Sequence, residues 1–322
     1  SIVSEELACV DLDSLTGQAE DDWTEPKLSR SDVALIQYTS GSTGAPKGVT
    51  LTHGNFLTNL QSIAIATDVS ERSVGVSWLP PYQDMGLTCI LLPVYVGFMV
   101  AHMLPNQFRF RPLCWLEAVT RYRVTICTAP NFAYEICTNR IAEEQRSQLN
   151  LSSWEVALNG AEPIRHETLN RFSKAFAGCG FKSTTMQPCY GLAEATLWVS
   201  GKPVQTEPLV GCFSKSDLER GLVVPLGQAE TNALHGTLPK RILASNGRVA
   251  DGFDLKIVNP RTGSDSSANE VGEILIAGPS VSPGYWKNEE ATREAFVDVA
   301  EVKGAKRFLK TGDLGFVHDG EL

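Results

Sequence analysis

The sequence predicts an α/β protein with a mostly parallel sheet flanked by helices, followed by a smaller β-rich subdomain. Three observations carry this. Strand-like apolar runs alternate with amphipathic helical runs from residue 33 to 200. Past 200 the helical periodicity fades, "FDLKIV" and "EILIAG" alternate as strands do, and Gly and Pro become frequent. Between the first strand and the first helix stands a loop crowded with hydroxyls and glycines.

Residues 1–30 are acidic and irregular and read as a linker or surface arm. "VALIQY" (33–38) is the first strand, and the helix after the loop carries Phe56, Leu57, Leu60, Ile63 and Ala64 at the 3.6-residue period. "SVGVSWLP" and "GFMVAHM" read as buried strands on either side of an apolar helix. "RPLCWLEAVTRYR" is an amphipathic helix, and "VTICTAP" and "WEVALNG" are strands. Pro163 then opens a helix with Leu169, Phe172 and Phe176 on one face. The chain thus divides into an α/β subdomain at 31–200, a weakly patterned stretch at 201–247 with a short helix in "SKSDLERGL", and a β-rich subdomain at 248–322.

Among 322 residues, 43% are apolar, enough for a large packed core, and 28 Lys and Arg face 37 Asp and Glu for a net charge of -9. That acidic balance argues against nucleic acid or an anionic membrane as the main partner, so a polyanionic ligand must be met by a local site. The eight cysteines form no C-x-x-C pair, and the five histidines lack metal-ligand spacing. A reducing, cytoplasmic setting fits, with no signal peptide in the acidic first twenty residues. The uncharged run from Met85 to Met103 has the length of a membrane span. Pro93 at its middle and the interruptions at Gly86 and Gly97 point instead to a buried helix followed by a strand.

The loop itself reads "YTSGSTGAPKGV" (38–49). Thr39, Ser40, Ser42 and Thr43 supply hydroxyl donors, while Gly41, Gly44 and Gly48 let a ligand approach the backbone. Lys47 adds a positive charge. Strand, glycine-rich loop and helix N-terminus together suit phosphate. The spacing is neither Walker A, since Lys47 is followed by Gly48, nor a dinucleotide fingerprint. A Ser/Gly-rich surface linker is the bland alternative.

This loop resembles the phosphate loop of the adenylate-forming superfamily. "NGAEP" (159–163), "YGLAEAT" (190–196), "GYW" (284–286) and "KTGDLG" (310–315) follow in that superfamily's order, so the resemblance covers about residues 33–322. "WLPPYQDMGL", "NGAEPIRHETLNRF" and "PCYGLAEATLWVSG" look most similar to the fatty acyl-AMP ligases, which pass fatty acids to acyl carrier proteins of polyketide or lipopeptide assembly lines.

The resemblance implies a truncated large N-terminal domain whose β-rich part is a distorted barrel. It implies attack of a fatty carboxylate on the α-phosphate of ATP, with Mg²⁺. Thr39, Ser40, Gly41, Ser42, Thr43, Gly44 and Lys47 would hold the departing phosphates, with Lys47 catalytic. Gly160, Ala161 and Glu162 would line the adenine edge. Tyr190, next to Gly191, would stack on adenine, and Thr196 or its backbone would reach the α-phosphate. Glu194 would coordinate Mg²⁺, and Asp313 would receive the ribose hydroxyls. Gln83 stands where the family usually has His, and its amide can donate a hydrogen bond but cannot become cationic. Met85 and the apolar run beyond it would wall an acyl tunnel.

Taken alone, each motif has a plainer reading. Glu194 is a solvated helix residue, "NGAEP" an ordinary strand-to-helix turn, and Asp313 a turn aspartate after glycine. The 201–247 stretch, chiefly 203–244, resembles the insertion that marks acyl-AMP ligases and goes with poor use of free coenzyme A. A neutral surface insertion is the alternative. Both ends read as cut: Ser1 is no initiator, and Asp319-Gly320 is a hairpin turn with its second strand barely begun. The family's C-terminal domain and its lysine would lie beyond, leaving this stretch of low activity by itself. An acyl-CoA synthetase and a non-catalytic nucleotide- or lipid-binding fragment are the rival readings.

Overall fold

The computed structural model describes residues 24–39, 46–227, 239–267, 269–301 and 304–322. Most of the acidic arm, Ser40 to Gly44 of the glycine-rich loop, and 228–238 of the candidate insertion lie outside the described residues.

The glycine-rich loop joins two strands, not a strand and a helix. β1 (Val33–Thr39) and β2 (Lys47–Thr52) pair antiparallel, with Thr39 opposite Lys47. "KGVTLT" explains the difference. Val49 and Leu51 fill the core at 0% and 1% exposure, and β-branched residues suit a pleated surface better than a helix. Helix α1 (His53–Thr67) starts only after β2, and its first turn is already capped: the Thr52 hydroxyl accepts the Asn55 N–H. On α1, Leu60 and Ile63 are buried as expected, whereas Leu57 is exposed and its place inward is taken by Asn59. The Asn59 amide is spent on the backbone of Ala195 and Trp198, which docks α1 beside the distant strand Trp198–Gly201.

The α/β alternation then runs as predicted: β3 (Val74–Ser77), α2 (Asp84–Val96), β4 (Met99–His102), α3 (Pro105–Phe110), α4 (Leu113–Tyr122), β5 (Ile126–Pro130), α5 (Asn131–Arg140), α6 (Glu143–Arg146), β6 (Val156–Gly160), α7 (His166–Phe176) and β7 (Met186–Gly191). β4, β3, β5, β6 and β7 are parallel neighbours, and β8 (Trp198–Gly201) closes that side antiparallel. β4 is the edge, so Met99 is exposed rather than buried. α7 begins at His166, later than Pro163. Before it the chain runs extended, and the Arg165 N–H is held by Asn131 Oδ1 at 3.2 Å.

The candidate insertion contributes β9 (Val210–Ser214), the short helix α8 (Lys215–Glu219) and β10 (Lys240–Ala244), with β9 paired on β10 and bridged to Pro225 on its other side. β11 (Arg248–Val249) returns to the large sheet beside β8, so the β-rich part begins after it rather than at 248. That part is an antiparallel sheet of β12 (Asp254–Val258), β13 (Gly272–Ala277), β15 (Phe296–Glu301) and β16 (Gly304–Gly315), in the order β12-β13-β16-β15. β14 (Gly284–Tyr285) and α9 (Glu289–Ala295) sit between β13 and β15, and β14 leaves this sheet to pair with β2.

The main core lies under α4, α5 and α7. Trp78 stacks on Phe108 at 3.9 Å, and Trp115 meets Trp78, Phe108, Tyr134 and Trp154 edge-on at 5.4–6.1 Å. Such pairs add about 0.5–1.5 kcal/mol each beyond the area they bury. The Met85–Met103 run is α2 plus β4, and among the described residues no helix is long and apolar enough to cross a membrane.

Candidate active site

The parallel strands β3, β5, β6 and β7 end at one side of the sheet, where α/β proteins place their ligand sites. A cavity of about 680 Å³ opens there, and Ser77, Pro130, Gly160 and Tyr190 from those strand ends stand in its wall. Thr39 at the tip of β1 and Asp84 at the start of α2 join them. Deeper in, the lining is apolar: Ile63 from α1, Leu92 from α2, Phe98, Ile126, Leu158 and Trp198. These six belong to one buried cluster, so the cavity penetrates the core rather than resting on it.

Two close approaches shape the rim. A Cβ on Gly86 would lie 1.9 Å from the Pro80 carbonyl oxygen, so only glycine lets "LPPYQD" fold back on α2 and present Gln83 and Asp84. A Cβ on Gly191 would lie 1.8 Å from the Leu197 oxygen, which keeps the Glu194 turn pressed on β7. Ala161 sits in the wall at φ +66°, a left-handed conformation unusual for a residue with a side chain.

The sequence-predicted residues converge unevenly. Thr39, Gln83, Gly160, Ala161, Glu162, Tyr190, Gly191 and Glu194 all line the cavity. Glu162 is partly committed, because its carboxylate accepts the Phe132 N–H at 2.6 Å in the first turn of α5. Asp313 lies outside the lining but is tied to it, accepting a hydrogen bond from the Tyr190 hydroxyl at 2.7 Å. Lys47 stands over the Tyr285 ring, its Nζ 5.2 Å from the centroid. Lys47 and Thr196 also lie outside the lining. Thr196 is 3% exposed and its hydroxyl donates to the Ser280 carbonyl at 2.7 Å, so its side chain is spent on the protein. Ser40, Gly41, Ser42, Thr43 and Gly44 lie outside the described residues.

Two residues of the site carried no assigned role in the sequence. Tyr285, within "GYW", donates its hydroxyl to Glu194 Oε1 at 2.8 Å. Burial, and then the neighbouring Glu194 charge, hold this phenol well above the ordinary tyrosine range. Asp84 shares the cavity wall with Glu194. Burial pushes its carboxyl up, the Glu194 charge adds to that, and the Met85 N–H, 2.7 Å from Oδ1, opposes it. The signal for Asp84 was an acid at the threshold of a long uncharged run, a costly place for a charge that has no task.

The carboxylates of Glu194 and Asp84 and the hydroxyl of Thr39 form a hard-oxygen set facing one cavity. Mg²⁺ takes one or two carboxylates and completes its shell with water and substrate phosphate, so this set fits it. Among the described residues no group of three or more His, Cys, Asp and Glu gathers into a self-sufficient metal cage.

Comparison with known proteins decides the affiliation. The model of the family "AMP-binding enzyme" matches residues 1–286. The chain belongs to that family. Within it, the chain is 40% identical to the medium-chain fatty acid–acyl-carrier-protein ligase JamA of Moorena producens, over 93% of this chain and 50% of the relative. It is 35% identical to the 4-hydroxyphenylalkanoate adenylyltransferase of Mycobacterium tuberculosis, over 92% of this chain and 48% of that one. Among solved structures it resembles the fatty acyl-adenylate ligase of Legionella pneumophila in complex with acyl adenylate and pyrophosphate. The TM-score is 0.85 at 40% identity, over 94% of this chain and 52% of the other. A long-chain-fatty-acid-CoA ligase of Archaeoglobus fulgidus is less similar, with a TM-score of 0.69 at 25% identity, over 90% and 50%. The chain spans about half the length of the curated relatives it matches.

Proposed function

We propose that the full protein is a fatty acyl-AMP ligase of the cytoplasm, which activates a fatty acid with ATP and hands the acyl group to an acyl carrier protein. The observation that carries this is the two-part cavity. A polar rim of Thr39, Glu194, Tyr190 and Gly160 runs into an apolar interior of Ile63, Leu92, Phe98, Leu158 and Trp198. A ligand matching both parts has a polar, aromatic head and a hydrocarbon tail, which describes an acyl-adenylate.

In the first step a carboxylate oxygen of the fatty acid bonds to the α-phosphorus, the bond to the bridging oxygen breaks, and pyrophosphate leaves. Both reactants are anions, so charge neutralisation and alignment supply most of the acceleration. Lys47, at the start of β2, would meet the departing phosphates together with the hydroxyls of 39–43. Tyr190 would stack on the adenine between Gly160–Ala161 and Asp313, and Asp313 would take the ribose hydroxyls. Glu194, with Asp84, would hold Mg²⁺, which when bound neutralises phosphate charge. Gln83 at the rim would donate its amide to the carboxylate or phosphate. In the second step the carrier's phosphopantetheine thiol attacks the acyl carbonyl and AMP departs.

The acyl-carrier-protein acceptor is favoured over coenzyme A by the similarity to the acyl-carrier-protein ligase JamA and by β9–α8–β10, which form an appendage beside the catalytic sheet. The test is a product assay on the full-length parent with ATP, Mg²⁺ and decanoate. Decanoyl-AMP and pyrophosphate are expected, followed by transfer to holo acyl carrier protein. Equal or faster thioester formation with free coenzyme A would shift the assignment to an acyl-CoA synthetase. Absence of pyrophosphate release would leave a binding module.

A further inference from the structure

Glu194 and its turn are braced by a segment that lies far from them in sequence. The Ser282 N–H donates to the Glu194 backbone carbonyl at 2.7 Å, and the Ser280 carbonyl accepts from the Thr196 hydroxyl at 2.7 Å. The Tyr285 hydroxyl fixes carboxylate Oε1 at 2.8 Å. The segment is anchored in turn: Ser282 Oγ donates to the Thr50 carbonyl of β2 at 2.7 Å, and the Asn55 amide of α1 donates to the Pro279 and Val281 carbonyls. Tyr285 is also where the acid and the cation meet, since its ring lies beneath Lys47. An acid with one oxygen bound presents the other in a single direction, and a lysine seated over an aromatic face is held near its working position.

We propose that Tyr285 is a positioning residue for adenylation. Its hydroxyl orients the Glu194 carboxylate toward the cavity, and its ring seats Lys47 when no nucleotide is present. This rests on the ligase reading and adds to it a residue that acts only through Glu194 and Lys47. Tyr285→Phe isolates the hydroxyl, because the ring stays edge-on to Phe296 at 5.8 Å and remains under Lys47.

The test is a double-mutant cycle on the full-length parent with Tyr285→Phe, Glu194→Gln and the pair, reading pyrophosphate release with ATP and decanoate and, separately, the rise in Tm caused by ATP. Tyr285→Phe is expected to lower kcat about tenfold with the KM for ATP within about threefold, while the unliganded Tm stays within about 2 °C of wild type. The double variant is expected to be no slower than Glu194→Gln alone, since a hydroxyl that acts through the acid has nothing left to act on. An unchanged kcat in Tyr285→Phe, or losses that multiply in the double variant, overturns the proposal. If the wild-type parent releases no pyrophosphate, the ligase reading fails, and the same cycle is read in the ATP-induced Tm shift. Non-additive loss there sustains the Tyr285–Glu194 coupling, and additive loss overturns it. A parent that ATP does not stabilise overturns both.

Discussion

The Tyr190 hydroxyl donates to Asp313 Oδ2 across 2.7 Å and thereby joins β7 of the large sheet to β16 of the small one. Asp313 is otherwise exposed, its N–H resting on the Thr311 hydroxyl at 3.1 Å. Asp313→Ala should therefore leave Tm within about 2 °C of wild type, as surface changes do. The KM for ATP should rise about tenfold, because the carboxylate proposed to receive both ribose hydroxyls is lost. Steady-state kinetics beside a thermal melt separates these effects, and a large fall in Tm with an unchanged KM would make Asp313 structural.

Acyl selectivity should follow the apolar end of the cavity. Val100, on edge strand β4, lines it and is only half-buried, so a larger side chain can be introduced there without rebuilding the core. Val100→Phe is expected to reduce pyrophosphate release with hexadecanoate at least about tenfold more than with hexanoate, as filling a hydrophobic pocket discriminates by length. ATP binding should be untouched. Equal losses across a chain-length series would place the acyl tail elsewhere.

Three cysteines line the same cavity, and burial suppresses their reactivity. The Cys89 thiol is pushed up to about 11, Cys189 to about 12, and Cys127 well above the ordinary range, in each case chiefly by desolvation. Thiolate is the reactive form, so at pH 8 all three should resist iodoacetamide in the folded protein and react on unfolding in urea. Peptide mass spectrometry reads this directly. Rapid alkylation of Cys89 under native conditions would show the cavity to be wetter than its lining implies.

Lys202 is 3% exposed, and its ammonium donates to the carbonyls of Thr184, Pro203 and Thr206 at 3.0, 3.0 and 2.6 Å. It pins the exit of β8 to the start of the 203–244 stretch. Burial lowers its pKa from 10.5 to about 8, against the pull of Glu207 and Glu321. Because the folded value is the lower one, the unfolded chain binds more protons between pH 8 and 10.5. Lys202 therefore subtracts from stability below pH 8, and that cost is relieved as pH rises through the window. Lys202→Met should cost roughly 1–3 kcal/mol at pH 7 by orphaning the carbonyls, and should abolish the pH-dependent gain above 8. Urea titrations at pH 7, 8, 9 and 10 measure both, and identical pH profiles for the two proteins would refute the assignment.

Much of this architecture is legible in the sequence because hydrophobic period reports local burial. "VTICTAP" and "WEVALNG" are apolar at nearly every position and become central parallel strands, while Leu169, Phe172 and Phe176 share the inward face of α7. "KGVTLT" was less legible. A glycine-rich loop after a strand suggests a helix next, and only the pairing partners β1 and β14 reveal a strand. Thr196 shows a different limit. Its motif suggests a ligand contact, but the hydroxyl finds a closer acceptor at Ser280, 84 residues away. Tyr285 was hidden for the same reason, since its partner Glu194 is 91 residues distant and no local pattern encodes that meeting. Local chemistry shows through a sequence, whereas contacts set by tertiary packing do not.

β14 is only two residues long, yet Gly284 and Tyr285 pair with Thr50 and Val49, and the Trp286 N–H reaches the Gly48 carbonyl at 2.7 Å. This short ribbon fixes how far Lys47 stands from Glu194 by counting peptides along a ladder. Strand faces alternate with every residue, so adding or removing one residue between Lys47 and Thr50 would turn the lysine to the reverse side of the ribbon. This stretch should accept many changes of residue type but none of length.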